Sequence, residues 1–235
     1  KYPGVLGTAA CRFFAQEAGA TGLNERTARQ AGIDFASVVV PGFDRLGYMP
    51  GVGRIVLKLL AEKSSGRVLG AQAVGAKRID TLAAAISLGA TLEDLSGLDL
   101  AYAPPFNTPI ENIATAANVL QNKLDGQLRS INPVDFEKNR TQEDYLFVDV
   151  RTPAEVAAKR IADIPSRVNL PLDTLRTADI SKMDKEQKIV TACQIDLRGY
   201  EAEVILRTRG FRDVYSLEGG MSGWPYATES DNDKK

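Results

Sequence analysis

The segment Cys193-Gln194-Ile195-Asp196-Leu197-Arg198 sets a thiol and a guanidinium close together in the chain, after the apolar run 188–192 and ahead of a helical pattern. A strand end that feeds a helix is where open α/β sheets bind ligands. If the intervening backbone curls into a loop, its N–H groups and the helix N-terminus converge on the sulfur. They would stabilise a thiolate and lower the thiol pKa. Arg198 adds a fixed positive charge and a fork of donors suited to an oxyanion. From residue types alone, a reactive thiol above an anion loop (Gln194, Ile195, Asp196, Leu197) and a cysteine that only packs both remain open.

The chain has 235 residues and no histidine, which removes the Ser-His-Asp triad, the Cys-His dyad and the HExxH zinc site. The two cysteines cannot build a disulfide framework or a four-thiolate metal site, so no metal is expected, and they suit a reducing, cytoplasmic compartment. Cys11, in the apolar stretch TAACRFF, reads as an inert core residue, leaving Cys193 as the thiol expected to alkylate rapidly. Lys77 and Arg78 form a basic pair at a helix start, opposed to the dipole preference. They could meet the phosphates of a substrate, or simply be solvated. Twenty-nine Lys and Arg against thirty Asp and Glu give net charge -1, without the basic footprint of a nucleic-acid binder. No run reaches the about 18 apolar residues of a membrane span, and the start has no signal-peptide pattern.

Two kinds of element must position these residues. In the first half, apolar runs at 33–40, 54–62 and 67–74 read as strands, the last two joined as a hairpin through Lys63-Ser64-Ser65-Gly66. Helical spacing follows at 78–88 and 109–120, with Thr91 as an N-cap answered by Asp94 three residues on. Strands grouped ahead of helices predict an α+β domain with an antiparallel sheet. After Asp125-Gly126 the pattern becomes strand alternating with helix: short strands at 147–150, 167–170, 188–192 and 213–217, and helices at 153–159 and 198–208. This alternation predicts an α/β domain with a parallel sheet. The expected division is 1–124, a linker at 125–130, and 131–235.

DVRTPAEV, VNLPLDTL, the CQIDLRGY loop and LEGGMSGW occur in the order and spacing of a rhodanese domain, and the second half resembles that family. The resemblance implies that Cys193 takes up a sulfane sulfur as a persulfide and passes it to a thiol, with Arg198 and the loop amides steadying the anion. Two departures stand out. The turn after the first helix reads Lys159-Arg160-Ile161-Ala162-Asp163 where many rhodaneses have Gly-His-Ile, and Asp196 occupies a loop position usually held by Gly. Asp tolerates the left-handed backbone but directs a carboxylate towards the thiolate.

YPGVLGTAACRFF, TGLNE, GRVLGAQAVG, KRIDTLAAAI and DLAYAPPFN resemble the C-terminal dimerisation domain of pyridine nucleotide-disulfide oxidoreductases, in the branch of CoA-disulfide and persulfide reductases. That resemblance implies a homodimer in which Tyr48 and Tyr102 reach the partner's flavin and redox-cysteine region. It also implies a parent protein using FAD, NAD(P)H and a CoA-type thiol, persulfide or polysulfide. The flavin and nucleotide modules each need on the order of 100 residues and a Gly-x-Gly-x-x-Gly turn, so this chain, which also lacks an initial Met, is expected to be a fragment that binds neither cofactor. A phosphatase is disfavoured, because four residues separate Cys193 from Arg198 and Asp196 would repel a dianion. A non-catalytic docking or regulatory module is the other alternative.

Overall fold

The protein is described as a computed structural model covering residues 4–75 and 78–231. Its chain forms two compact units, Lys1–Gln127 and Leu128–Lys235.

The first unit runs β1 (Ala9–Phe13), β2 (Gln16–Gly22), α1 (Glu25–Gln30), β3 (Phe35–Phe43), β4 (Arg54–Glu62), β5 (Val68–Val74), α2 (Ile79–Ser87), α3 (Leu92–Ser96) and α4 (Asn112–Leu124). Its five strands form one antiparallel sheet in the order β1-β2-β5-β4-β3. Alternation along β4 turns Ile55, Leu57 and Leu59 towards Leu82, Leu95, Ile113 and Leu120 of the three later helices. Leu60 instead packs with Ala28 of α1 and Leu69. Thr91 caps α3 reciprocally with Asp94, as its spacing predicts. Helix α4 starts at Asn112, later than the expected 109, because the Glu111 carboxylate accepts the Ile113 N–H at 2.7 Å and fixes the first turn there.

The first unit corrects the reading of Cys11. It lies on β1, an edge strand whose five residues are all exposed, and its thiol is exposed as well. An edge strand pairs on one side only, and no helix covers this one among the described residues.

The second unit runs β6 (Ser130–Ile131), α5 (Pro133–Asn139), β7 (Tyr145–Asp149), α6 (Pro153–Ala158), β8 (Arg160–Ile161), β9 (Arg167–Asn169), α7 (Leu172–Leu175), β10 (Lys188–Ala192), α8 (Leu197–Thr208), β11 (Val214–Leu217), α9 (Gly220–Gly223) and β12 (Thr228–Glu229). Five strands pair in parallel in the order β6-β11-β10-β7-β9. Both faces are covered, as a parallel sheet requires. On one face, Val148, Ile189 and Val214 meet Leu175, Ala202 and Leu206. On the other, Phe147 and Val190 meet Phe136, Met221 and Trp224, with the Phe136 ring stacked on Phe147 at 5.7 Å. The central position of β10 puts Cys193, one residue past its end, in the middle of the sheet's C-terminal edge.

Candidate active site: the Cys193 loop

Cys193 is buried, and the backbone N–H groups of Ile195 and Gly199 lie near enough to its sulfur to favour a thiolate. Between them the chain turns through Asp196, whose φ of 74° is left-handed. Asp196 then opens α8, its carbonyl accepting the Tyr200 N–H at 2.8 Å. A second turn supports the loop from below. The N–H groups of Met221 and Ser222 donate to the carbonyls of Cys193 and Gln194, each at 2.9 Å, and the Gln194 amide reaches Ser222 Oγ at 3.0 Å. Gly220 makes this approach possible: its φ is 49°, and a Cβ there would lie 2.3 Å from the Cys193 carbonyl oxygen. The side chains of Ile195 and Leu197 point outwards and are exposed.

Burial raises the Cys193 thiol pKa, and the Asp196 carboxylate adds to the rise; the N–H groups of Ile195 and Gly199, with the Arg198 charge, oppose it without cancelling it. This reverses the expectation that the loop lowers the pKa, because removing the sulfur from water outweighs the few dipoles aimed at it. The Asp196 carboxylate turns inward, where Ser216 Oγ on β11 donates to Oδ2 at 3.3 Å.

Arg198 lies beside the sulfur, and both of its terminal nitrogens donate to Glu155, a residue that the sequence does not single out. Nη2 donates to Oε1 at 2.6 Å and Nη1 to Oε2 at 3.0 Å. Glu155 is also the capping partner of α6, where Oε2 accepts the Thr152 N–H and hydroxyl, both at 2.9 Å. Arg198, burial notwithstanding, and these Thr152 bonds hold its carboxyl down at about 2. The Thr152-x-x-Glu155 spacing was a readable capping-box signal, but its link to a side chain on another helix was not. Behind the site, Arg151 and Asp149 form a buried pair at 2.6 Å, and Asn169 donates to the carbonyls of both residues at 2.8 Å, fixing the end of β7.

In the first unit, Tyr48 lies on the turn between β3 and β4 and is 75% exposed, and Tyr102 lies on the segment between α3 and α4 and is 48% exposed. Arg78 is turned away from any phosphate-binding role by its surroundings. Its guanidinium pairs with Glu111, donates to Asn107 Oδ1 at 2.8 Å and reaches the Asp44 carbonyl at 3.2 Å. It therefore joins the two segments that carry the tyrosines. Lys77 lies outside the described residues. Among the described residues no group of three or more Cys, Asp or Glu could hold a metal ion, and no helix is long and apolar enough to cross a membrane.

Comparison with known proteins agrees with this two-part layout. Residues 8–114 match the pyridine nucleotide-disulphide oxidoreductase dimerisation domain, and residues 132–227 match the rhodanese-like domain. A sulfurtransferase of Allochromatium vinosum is 33% identical over 98 residues, which are 40% of this chain and 88% of that protein. The chain belongs to the rhodanese-like family, with a pyridine nucleotide-disulphide oxidoreductase dimerisation domain ahead of it. The CoA-dependent NAD(P)H sulfur oxidoreductase of Pyrococcus furiosus is 40% identical over 124 residues, covering 52% of this chain and 28% of the relative. The solved NAD-dependent persulfide reductase from A. fulgidus superposes with a TM-score of 0.84 at 40% identity, over 95% of this chain and 40% of that one. This rhodanese-like chain thus spans well under half the length of the two reductases it matches.

Proposed function

We propose that the chain is the sulfur-loading and dimer-forming part of an NAD(P)H-dependent reductase of persulfides, polysulfides or CoA disulfide. The observation that carries this reading is the buried Cys193 thiol at the C-terminal end of a central parallel strand, in a tight loop that turns through Asp196 into α8 beside Arg198. Cys193 and Arg198 are the catalytic pair, and the backbone of Gln194, Ile195, Asp196 and Leu197 shapes the anion loop.

In the loading step, the Cys193 sulfur bonds to the outer sulfur of a persulfide anion, RSS−. The donor S–S bond breaks with its electron pair on the inner sulfur, and the thiol proton ends on that leaving thiolate. The products are RSH and Cys193–SS−, so atoms and charge balance without an oxidant. A raised thiol pKa is compatible with this course, because the proton has a destination on the leaving group. Attack of an acceptor thiolate such as that of CoA on the outer sulfur then regenerates the Cys193 thiolate.

The first unit supplies a homodimer interface and presents Tyr48 and Tyr102 to the partner's reductase site. Their exposed rings suit a role outside their own unit. FAD and NAD(P)H, held by the remainder of such a protein and not by this chain, would supply the electrons that release sulfide. Both cysteines are free thiols, in keeping with a reducing compartment such as the cytoplasm.

The test is intact-mass and peptide mass spectrometry after treatment with glutathione persulfide. The expected result is one added sulfur on Cys193 that CoA removes, and none in Cys193→Ser. A folded wild-type protein that gains no sulfur there would return the second unit to the docking-module reading.

A further inference from the structure

The Arg198 guanidinium beside the Cys193 sulfur is the group an oxyanion donor would use, and it is already committed. Both of its terminal nitrogens donate to Glu155. That carboxylate cannot leave without cost, since Oε2 also holds the N–H and hydroxyl of Thr152 at the start of α6. The two side chains are about equally accessible, 33% for Arg198 and 34% for Glu155, so the pair can be reached from solvent while the sulfur is buried. Asp196 adds a second carboxylate close enough to oppose ionisation of the thiol. Counting these three side chains, the surroundings of the sulfur carry one positive and two negative charges.

We propose that Glu155 selects the sulfur donor by charge, occupying Arg198 so that the loop discriminates against compact dianions of the thiosulfate class and admits organic persulfides, whose reactive end carries a single charge. The inference rests on the sulfur-loading reading of Cys193 and deepens it. A thiosulfate dianion must either displace Glu155 from Arg198 and Thr152 or approach a site of net negative charge. An organic persulfide brings one charge at its reacting end, on the sulfur that is transferred, and a leaving thiolate that takes the thiol proton. Thiosulfate transfer balances equally well, with sulfite leaving on the broken S–S bond. The discrimination is therefore electrostatic and not a matter of redox stoichiometry.

The experiment compares second-order rates of sulfur loading on Cys193 of the full chain, with thiosulfate and with glutathione persulfide as donors, in wild type, Glu155→Gln and Glu155→Asp. Glutamine keeps an oxygen for the Thr152 cap and removes the charge. The thiosulfate-to-persulfide rate ratio should rise by about tenfold or more in Glu155→Gln, and by much less in Glu155→Asp. Salt provides an independent sign. Raising ionic strength should speed thiosulfate loading in wild type, where repulsion is screened, and have much less effect in Glu155→Gln, where the remaining charges of Arg198 and Asp196 balance. If Glu155→Gln does not fold, the wild-type salt response and its donor ratio still decide. An unchanged ratio in the glutamine variant, or wild-type thiosulfate loading that slows with salt, would overturn the proposal. A wild type that loads sulfur from neither donor would overturn it together with the sulfurtransferase reading, whereas loading without donor discrimination removes the proposal alone.

Discussion

Replacing Gly220 by alanine should damage the Cys193 loop from a position that touches no substrate. The new Cβ would lie 2.3 Å from the Cys193 carbonyl oxygen and 3.0 Å from the Asp196 nitrogen. Ordinary carbon–oxygen contact starts near 3.4 Å, so the two turns must separate by roughly 1 Å. Separation breaks or stretches the bonds from Met221 and Ser222 to the loop carbonyls, at about 1 kcal/mol each, and alanine at a φ of 49° adds about 1 kcal/mol of backbone strain. The expected loss of stability is about 3 kcal/mol. Because the same shift misplaces the sulfur, loading should slow by on the order of 100-fold at temperatures where the protein is still folded. Gly210→Ala is the control. Gly210 is also left-handed, with φ 91°, but its added Cβ meets only the end of the Lys185 side chain, so it should lose stability without losing the loading rate. Denaturant unfolding and timed mass spectrometry of the persulfide read the two effects separately. A Gly220→Ala protein that loads at the wild-type rate would refute the claim that this turn holds the loop.

Two further outcomes follow from burial. Iodoacetamide should label the exposed Cys11 before Cys193 at neutral pH, with Cys193 labelling rising as the pH is raised; equal rates for the folded protein would contradict the burial and raised pKa of Cys193. Glu203 on α8 is fully buried, and desolvation lifts its carboxyl to about 7 despite the Arg207 and Arg129 charges. A carboxyl whose folded pKa exceeds its unfolded one costs nothing in acid, where both states are protonated. Its destabilisation grows as pH rises from about 4.5 to about 7 and is then fully present, on the order of 3 kcal/mol. Glu203→Gln should therefore flatten the pH dependence of unfolding over that window, and parallel curves for the two proteins would count against it.

The architecture was legible where local chemistry and global fold agree. Apolar strands at β4, β5 and β10 and the Thr91 cap of α3 could be read from period and spacing, and both sheets have the expected strand directions. Strand β2 was not read from its sequence, QEAGATG, because its value lies in close approach: a Cβ at Gly19 would lie 2.8 Å from Ile79, and one at Gly22 would lie 2.3 Å from the Leu69 carbonyl. At the site, Cys193 and Arg198 announced themselves by residue type and order. Glu155 did not, since the partner that gives it a role lies 43 positions away. The direction of the Cys193 pKa shift was misjudged for a related reason: the sequence displays the helix start that favours a thiolate, but not the packing that excludes water from it.

The Arg78 cross-link gives the first unit a property that neither tyrosine segment has alone. One guanidinium holds the Asp44 carbonyl on the side of Tyr48 and Asn107 on the side of Tyr102, with Glu111 neutralising it between them. A displacement of one segment must disturb the anchor of the other. The two segments are therefore mechanically coupled, and the coupling is reciprocal: what a shift on the side of Tyr48 costs the side of Tyr102, a shift on the side of Tyr102 costs in return.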